Sequence, residues 1–244
     1  MSEPSVALRS ESDEAFPPIA AIVYDMDGLL VDSEPLAEAA LDRFLARHGK
    51  TKQPGSMELT LGRRLPEAIA IIADLYAIPG DLAVLTDEYD LMRLDALRGK
   101  VRPMPGALEM TSWGRARGLR QGWATSSKRA HADLSLNESD LDGRFDAYTY
   151  GDEVERGKPE PDMFLLAAHR LGVGPAACLV LEDAPAGLAA AAAAGMRRIW
   201  VPNAKTRGLA VPVAIDAVLD DLHAVIPWLA ERALASPAST DPPD

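Results

Sequence analysis

Short apolar runs recur at 19–25, 119–125, 178–182 and 198–202, and apolar residues at helical spacing fill the stretches between them. Runs of that length read as strands buried on both faces, and their alternation with helical patterns is the signature of βαβ units. The pattern predicts an α/β fold built on a doubly wound parallel sheet. The interval 34–102 departs from it, with helical stripes and no convincing strand. Leu36, Ala40 and Phe44 form one stripe, Ala37, Leu41 and Leu45 another, and Leu82, Leu85, Tyr89, Met92 and Ala96 recur at steps of three and four. Pro103, Pro105 and Gly106 then punctuate the chain's return. A loop of about 70 residues with its own apolar faces is too long for a connection. We therefore expect a helical cap subdomain over 34–102, set over the carboxyl edge of the sheet and inserted into a core formed by 17–33 and 103–234. Residues 1–16 and 235–244 are polar and poor in large apolar side chains, and are expected to be disordered tails.

Composition narrows the partners. The 37 acidic residues outnumber the 25 basic ones, giving a net charge of -12, and no cluster of Lys or Arg stands out. A nucleic-acid backbone would be repelled, so the expected partner is a small molecule. The acid surplus does not exclude an anionic ligand, because a bound cation and one or two placed Lys or Arg invert the field locally. Cys178 is the only cysteine and has no partner for an internal disulfide. The amino terminus lacks a secretory pattern, and the longest uncharged apolar stretch, Ala184 to Met196, is too short and too broken to span a membrane. A soluble, cytoplasmic protein, monomeric by default, is the expectation.

Four constellations carry candidate chemistry. Asp25-Met26-Asp27-Gly28 places two carboxylates where the first strand runs out, at the edge where open α/β sheets hold ligands, and Gly28 lets the chain turn away. One carboxylate can meet a metal and an electrophile while the other handles protons. Ala124-Thr125-Ser126-Ser127-Lys128 follows the second strand and opens a helix, where a hydroxyl and backbone amides suit phosphate oxygens; an ordinary helix cap is the competing reading. Gly157-Lys158-Pro159-Glu160-Pro161-Asp162 holds a lysine in a proline-stiffened segment ahead of a helix expected over 161–171. Finally, the strand Cys178-Leu179-Val180-Leu181 ends in Glu182 and Asp183, before Ala184-Pro185-Ala186-Gly187. Two strand-end acid pairs in one chain suit a shared hard cation such as Mg²⁺, although acids in a first helical turn also serve as caps. The four histidines show no metal-ligand pattern, and no serine or cysteine nucleophile motif is present.

In this order the motifs D-M-D-G-L-L-V-D-S, A-T-S-S, G-K-P-E-P-D and L-E-D-A-P-A-G resemble the haloacid dehalogenase superfamily over about residues 19–230. The resemblance is to the subgroup with a helical cap between the first and second motifs, and within it to the pseudouridine-5′-phosphatase-like, sugar-phosphate phosphatase and β-phosphoglucomutase branches. It implies a Mg²⁺-dependent phosphomonoesterase in which Asp25 forms an aspartyl-phosphate and Asp27 acts as acid and base. It further implies that Asp25, the Asp27 carbonyl, Asp183 and Glu182 surround the metal, that Thr125 and Ser126 hold the phosphoryl group, and that Lys158 offsets charge. A mutase is the alternative: the His and Arg that β-phosphoglucomutases keep in the cap are matched here by Ala37 and Leu65, with Arg63 and Arg64 close enough in Leu61-Gly62-Arg63-Arg64-Leu65 to supply the arginine's role. A catalytically silent phosphometabolite-binding domain is a further one. Arg63 and Arg64, beside Gly62 in the cap, are candidate substrate contacts, with solvated surface arginines as the plainer reading.

Overall fold

Along the strands, alternate side chains enter two different cores. The computed structural model describes residues 6–9, 17–232 and 234. Strands β1 (Ala21–Tyr24), β2 (Arg120–Ala124), β3 (Ala147–Thr149), β4 (Cys178–Glu182), β5 (Arg197–Trp200) and β6 (Ala217–Val218) form one parallel sheet in the order β3-β2-β1-β4-β5-β6. Ile22, Tyr24, Leu179 and Leu181 join one apolar cluster, and Ala21, Val23, Cys178 and Val180 join the other. A period of two with both faces buried explains why these runs are apolar throughout. Helices α4 (Ala107–Ala116), α5 (Arg129–Glu138) and α8 (Leu222–Ala230) cover the first face, while α6 (Asp162–Leu171) and α7 (Pro185–Ala193) cover the second.

The strand order reverses at β1, whose neighbours are β2 and β4, so the crevice for a ligand lies at the carboxyl ends of these three strands. The expected strands at 19–25, 119–125, 178–182 and 198–202 correspond to β1, β2, β4 and β5. Two strands were not anticipated: β3 and β6 span three and two residues, too short for any periodicity to register.

Between β1 and α4 the described chain forms three helices and no strand of the sheet: α1 (Glu34–Arg47), α2 (Leu65–Leu75) and α3 (Leu82–Leu97). They share an apolar cluster of their own that includes Leu41, Phe44, Leu45, Ile69, Ile72, Leu85 and Tyr89. Leu82 and Met92, also on the expected stripe of α3, are not buried; Leu82 is exposed at the helix start, and Met92 packs at the cluster's margin. The two segments that join this unit to the sheet run side by side, with Asp32 N donating to Arg102 O and Met104 N to Leu30 O, each at 2.9 Å.

Of the expected amino-terminal tail, residues 6–9 depart from disorder. Leu8 forms a parallel bridge with Ile215, and Val6 packs beside Leu188, Trp200, Val211 and Ile215, because Val6-Ala7-Leu8 is an apolar triplet in an otherwise polar stretch. The rest of that tail, 1–5 and 10–16, and the carboxyl-terminal one, 235–244, lie outside the described residues. No helix among the described residues is long and apolar enough to cross a membrane.

Candidate active site

Asp25 continues β1 by one residue, its amide bonded to Leu181 O at 3.1 Å, and the chain then leaves the sheet. Gly28 makes this exit in the left-handed region, at φ 82°, and a Cβ there would lie 2.5 Å from Asn203 Nδ2 and 2.8 Å from Asp183 Oδ2. Only glycine fits that turn at so close an approach. On the neighbouring strand, β4 delivers Glu182 and Asp183 to the same edge. Ligand atoms of Asp25, Glu182 and Asp183 lie within 4.8 Å of one another, all buried. Glu182 packs so tightly against the start of α7 that a Cβ on Gly187 would fall 1.6 Å from its Oε1.

Lys158, 1% exposed, reaches this cluster from the loop before α6. Its Nζ donates to Asp25 Oδ1 and to Glu182 Oε1, 2.5 Å from each. The other oxygen of Glu182 accepts the Ala184 amide at 2.9 Å. Asp183 Oδ2 accepts from Asn203 Nδ2 at 2.8 Å, while Asp183 Oδ1 is buried with no hydrogen-bond partner among the described residues. Three buried carboxylates thus face one ammonium. Burial pushes Asp25 up to about 8 despite the opposing pull of Lys158, and burial together with Glu182 and Asp25 raises Asp183 well above the carboxylate range. Burial alone would depress Lys158, but Asp25 and Glu182 hold its ammonium above the usual value. An orphaned buried carboxylate oxygen in an all-oxygen donor set fits a hard divalent cation.

Asp27 is held by hydroxyls. Ser33 Oγ donates to its Oδ1 at 2.5 Å and Ser127 Oγ to its Oδ2 at 2.7 Å, with Thr125 Oγ1 3.5 Å from the same oxygen. Thr125 Oγ1 also accepts the Ser127 amide at 3.0 Å, so this hydroxyl is engaged inside the loop, and Thr125 is fully buried. Ser126 lines the cavity, its amide donating to no acceptor among the described residues and its Oγ donating to Gly62 O of the helical unit at 2.8 Å. Glu34, at the start of α1, lines the same cavity, and burial raises its carboxyl to about 7 against a hydrogen bond from Asn203.

The cavity measures about 100 Å³ and lies between the strand ends and the helical unit, with Asp25, Asp27, Ser126 and Asp183 on one side and Leu41, Leu65, Ile69, Ile72, Tyr89 and Arg93 on the other. Arg63 lines it too, but Arg64 does not: its guanidinium bonds Glu67 and the carbonyls of Val154 and Glu155 across the seam to the core. The expected substrate contact at Arg64 is therefore corrected to a seam contact, since Glu67 one turn later draws the side chain aside. Sequence reasoning missed Ser33, Ser127 and Asn203. The two serines stood inside quoted motifs, where the hydroxyl beside each acid loop was the signal. Asn203 follows β5 without any local mark.

Residues 19–195 match the haloacid dehalogenase-like hydrolase family. The fructose-1-phosphate phosphatase YqaB of Escherichia coli K12 is 36% identical, over 75% of this chain and 96% of its own length. A phosphorylated carbohydrates phosphatase of Thermotoga maritima is 30% identical, over 74% of this chain and 83% of its own. The crystal structure of CbbY from Rhodobacter sphaeroides in complex with phosphate superposes with a TM-score of 0.75 at 27% identity, covering 84% of this chain and 95% of that one.

Proposed function

The chain belongs to the haloacid dehalogenase-like hydrolase family and is a phosphatase of that family, and we propose that it hydrolyses a small phosphorylated metabolite with Mg²⁺ through an aspartyl-phosphate on Asp25. The observation that carries this reading is the meeting of Asp25, Glu182 and Asp183 around Lys158 at one sheet edge. Asp25 Oδ1 is held by Lys158, and Oδ2, free of hydrogen bonds among the described residues, is the oxygen that attacks phosphorus. Asp27, braced by Ser33 and Ser127, protonates the leaving alcohol and later takes a proton from the attacking water. The Ser126 amide, at the mouth of the loop after β2, donates to a phosphoryl oxygen, with Thr125 fixing that loop. Lys158 neutralises charge that grows on the nucleophile and phosphoryl group.

Asp25, Asp183, the Asp27 carbonyl and Glu182 are the residues we assign to Mg²⁺, which when bound supplies positive charge to the phosphoryl oxygens and keeps the buried carboxylates ionised. The cap is the unit of α1 to α3, which closes the cavity over the substrate. A mutase is disfavoured because Ala37 lines the cavity, leaving apolar surface where that chemistry keeps a histidine; Arg63, two residues before Leu65, also lines it and keeps the arginine's place open. The lone Cys178, buried and with its thiol pushed by burial up to about 12, suits a cytoplasmic setting.

The test is phosphate release from a panel of sugar phosphates, nucleoside monophosphates and glycerol phosphate with Mg²⁺. Release should be lost on chelation and in Asp25→Asn. Phosphate release that survives both changes would refute the assignment.

A further inference from the structure

The cap side of the cavity is apolar apart from a few polar groups, and its hydroxyls are already spent as donors. Leu41, Leu65, Ile69 and Ile72 form the wall; Thr60 Oγ1 donates to Met57 O at 2.8 Å, and Tyr89 OH to Ala37 O at 3.2 Å. A polyhydroxylated leaving group pressed on this surface would leave hydroxyls without partners. Two cationic side chains line the cavity, and they differ. Arg63 is exposed, so solvent screens it. Arg93, on α3, is half-buried and makes no hydrogen bond or ion pair among the described residues. Asp90, one turn earlier, turns its carboxylate instead to Lys128 Nζ at 3.0 Å and lies 3.5 Å from His131 Nε2. The Arg93 charge is felt by buried neighbours, opposing the upward push of burial on Tyr89 and adding to the downward push of burial on His131. A half-buried cation without a counter-charge is unfavourable unless a ligand supplies one.

Resting on the phosphatase reading above, we infer that Arg93 is a specificity residue that binds a carboxylate on the substrate's leaving group, so the substrate class is the phosphomonoester of a short hydroxycarboxylic acid. The guanidinium fork matches a carboxylate in two hydrogen bonds. Charge favours a carboxylate over a second phosphoryl group, because the one half-buried guanidinium lining the cavity balances a single negative charge and would leave a phosphoryl dianion half compensated. The few carbons between ester oxygen and carboxylate would lie along Leu65 and Ile69, where apolar contact is what the wall offers.

The experiment uses the full chain with saturating Mg²⁺ and a matched three-carbon pair, 3-phosphoglycerate and glycerol 3-phosphate, on wild type, Arg93→Met and Arg93→Lys. Wild type should prefer the carboxylate member in kcat/KM by about tenfold or more, the scale of one charged hydrogen-bonded contact. Arg93→Met should lower kcat/KM for the carboxylate member about tenfold more than for glycerol 3-phosphate, chiefly through KM, and Arg93→Lys should recover part of the difference. Equal or better turnover of glycerol 3-phosphate by wild type would overturn the inference. So would an equal loss on both esters in Arg93→Met, which would place Arg93 on the transferred phosphoryl group. No phosphate from either ester, with wild type still releasing phosphate from other members of the wider panel, would overturn this inference alone; no phosphate from any member of that panel would refute the phosphatase reading and this inference with it.

Discussion

The two walls of the cavity are built on opposite principles. On the sheet side, carboxylates and hydroxyls are cross-bonded: Lys158 spans Asp25 and Glu182, Ser33 and Ser127 brace Asp27, and Asn203 holds Asp183. On the cap side, aliphatic side chains from α1 and α2 meet the space with little polar structure beyond Glu34 at the start of α1, Thr60, Arg63 and Arg93. A wall whose polar groups fix one another is preorganised for developing charge. An apolar wall instead sorts molecules by shape and by the few charges it holds. Under the proposed function the difference puts chemistry at the sheet edge and selection on the helical unit.

The sharpest way to break this division is Lys158→Met. It strips the ammonium from two buried carboxylates and should lower kcat on every substrate by about a hundredfold to a thousandfold, read by phosphate release. A loss confined to some substrates would mean that Lys158 selects rather than catalyses.

A second probe asks whether the sheet edge is short of positive charge. Without a cation, Asp25 holds its proton to about 8, against 3.8 for an ordinary aspartate. Folded protein then binds a proton that the unfolded chain has released, so this group's contribution to stability falls as pH rises through that window. A cation reverses the trend, since it requires ionised ligands. Mg²⁺ at about a hundred times its Kd should raise Tm by roughly 5 °C at about pH 8 and by less at about pH 6. Thermal unfolding with and without chelator checks this, and a shift that is absent or larger at the lower pH would contradict it.

The smallest expected effect is at the seam. Arg64→Ala removes bonds from the cap to Val154 O and Glu155 O, and should lower kcat/KM about fivefold or less, equivalent to roughly 1 kcal/mol of closure. The loss should be uniform across substrates. A substrate-dependent loss would return Arg64 to the selecting wall.

The same contrast decides what could be read from sequence. Asp25, Glu182 and Asp183 were legible because each follows directly on an apolar strand, and parallel pairing of β1 with β4 brings strand ends together whatever the loops do. Lys158 was legible only within its motif, since nothing local says that the loop before α6 folds back under the sheet edge. Asn203 and the hydroxyl braces on Asp27 depend on distant segments meeting. The three-helix unit was visible as helical stripes, but its inner wall was not: whether Arg93 or Arg64 faces the cavity is set by how the helices rotate against one another, and helical periodicity leaves that open. Strands β3 and β6 escaped because two or three residues carry no alternation.

The division rests finally on Asp25 being the group that takes the phosphoryl. A reaction with excess small phosphomonoester and Mg²⁺, quenched in acid during the first turnover and digested for mass spectrometry, tests this directly. The account predicts one phosphoryl group on the peptide containing Asp25, absent from Asp25→Asn. Phosphate release at full rate with no adduct there, or with the adduct on another residue, would contradict it.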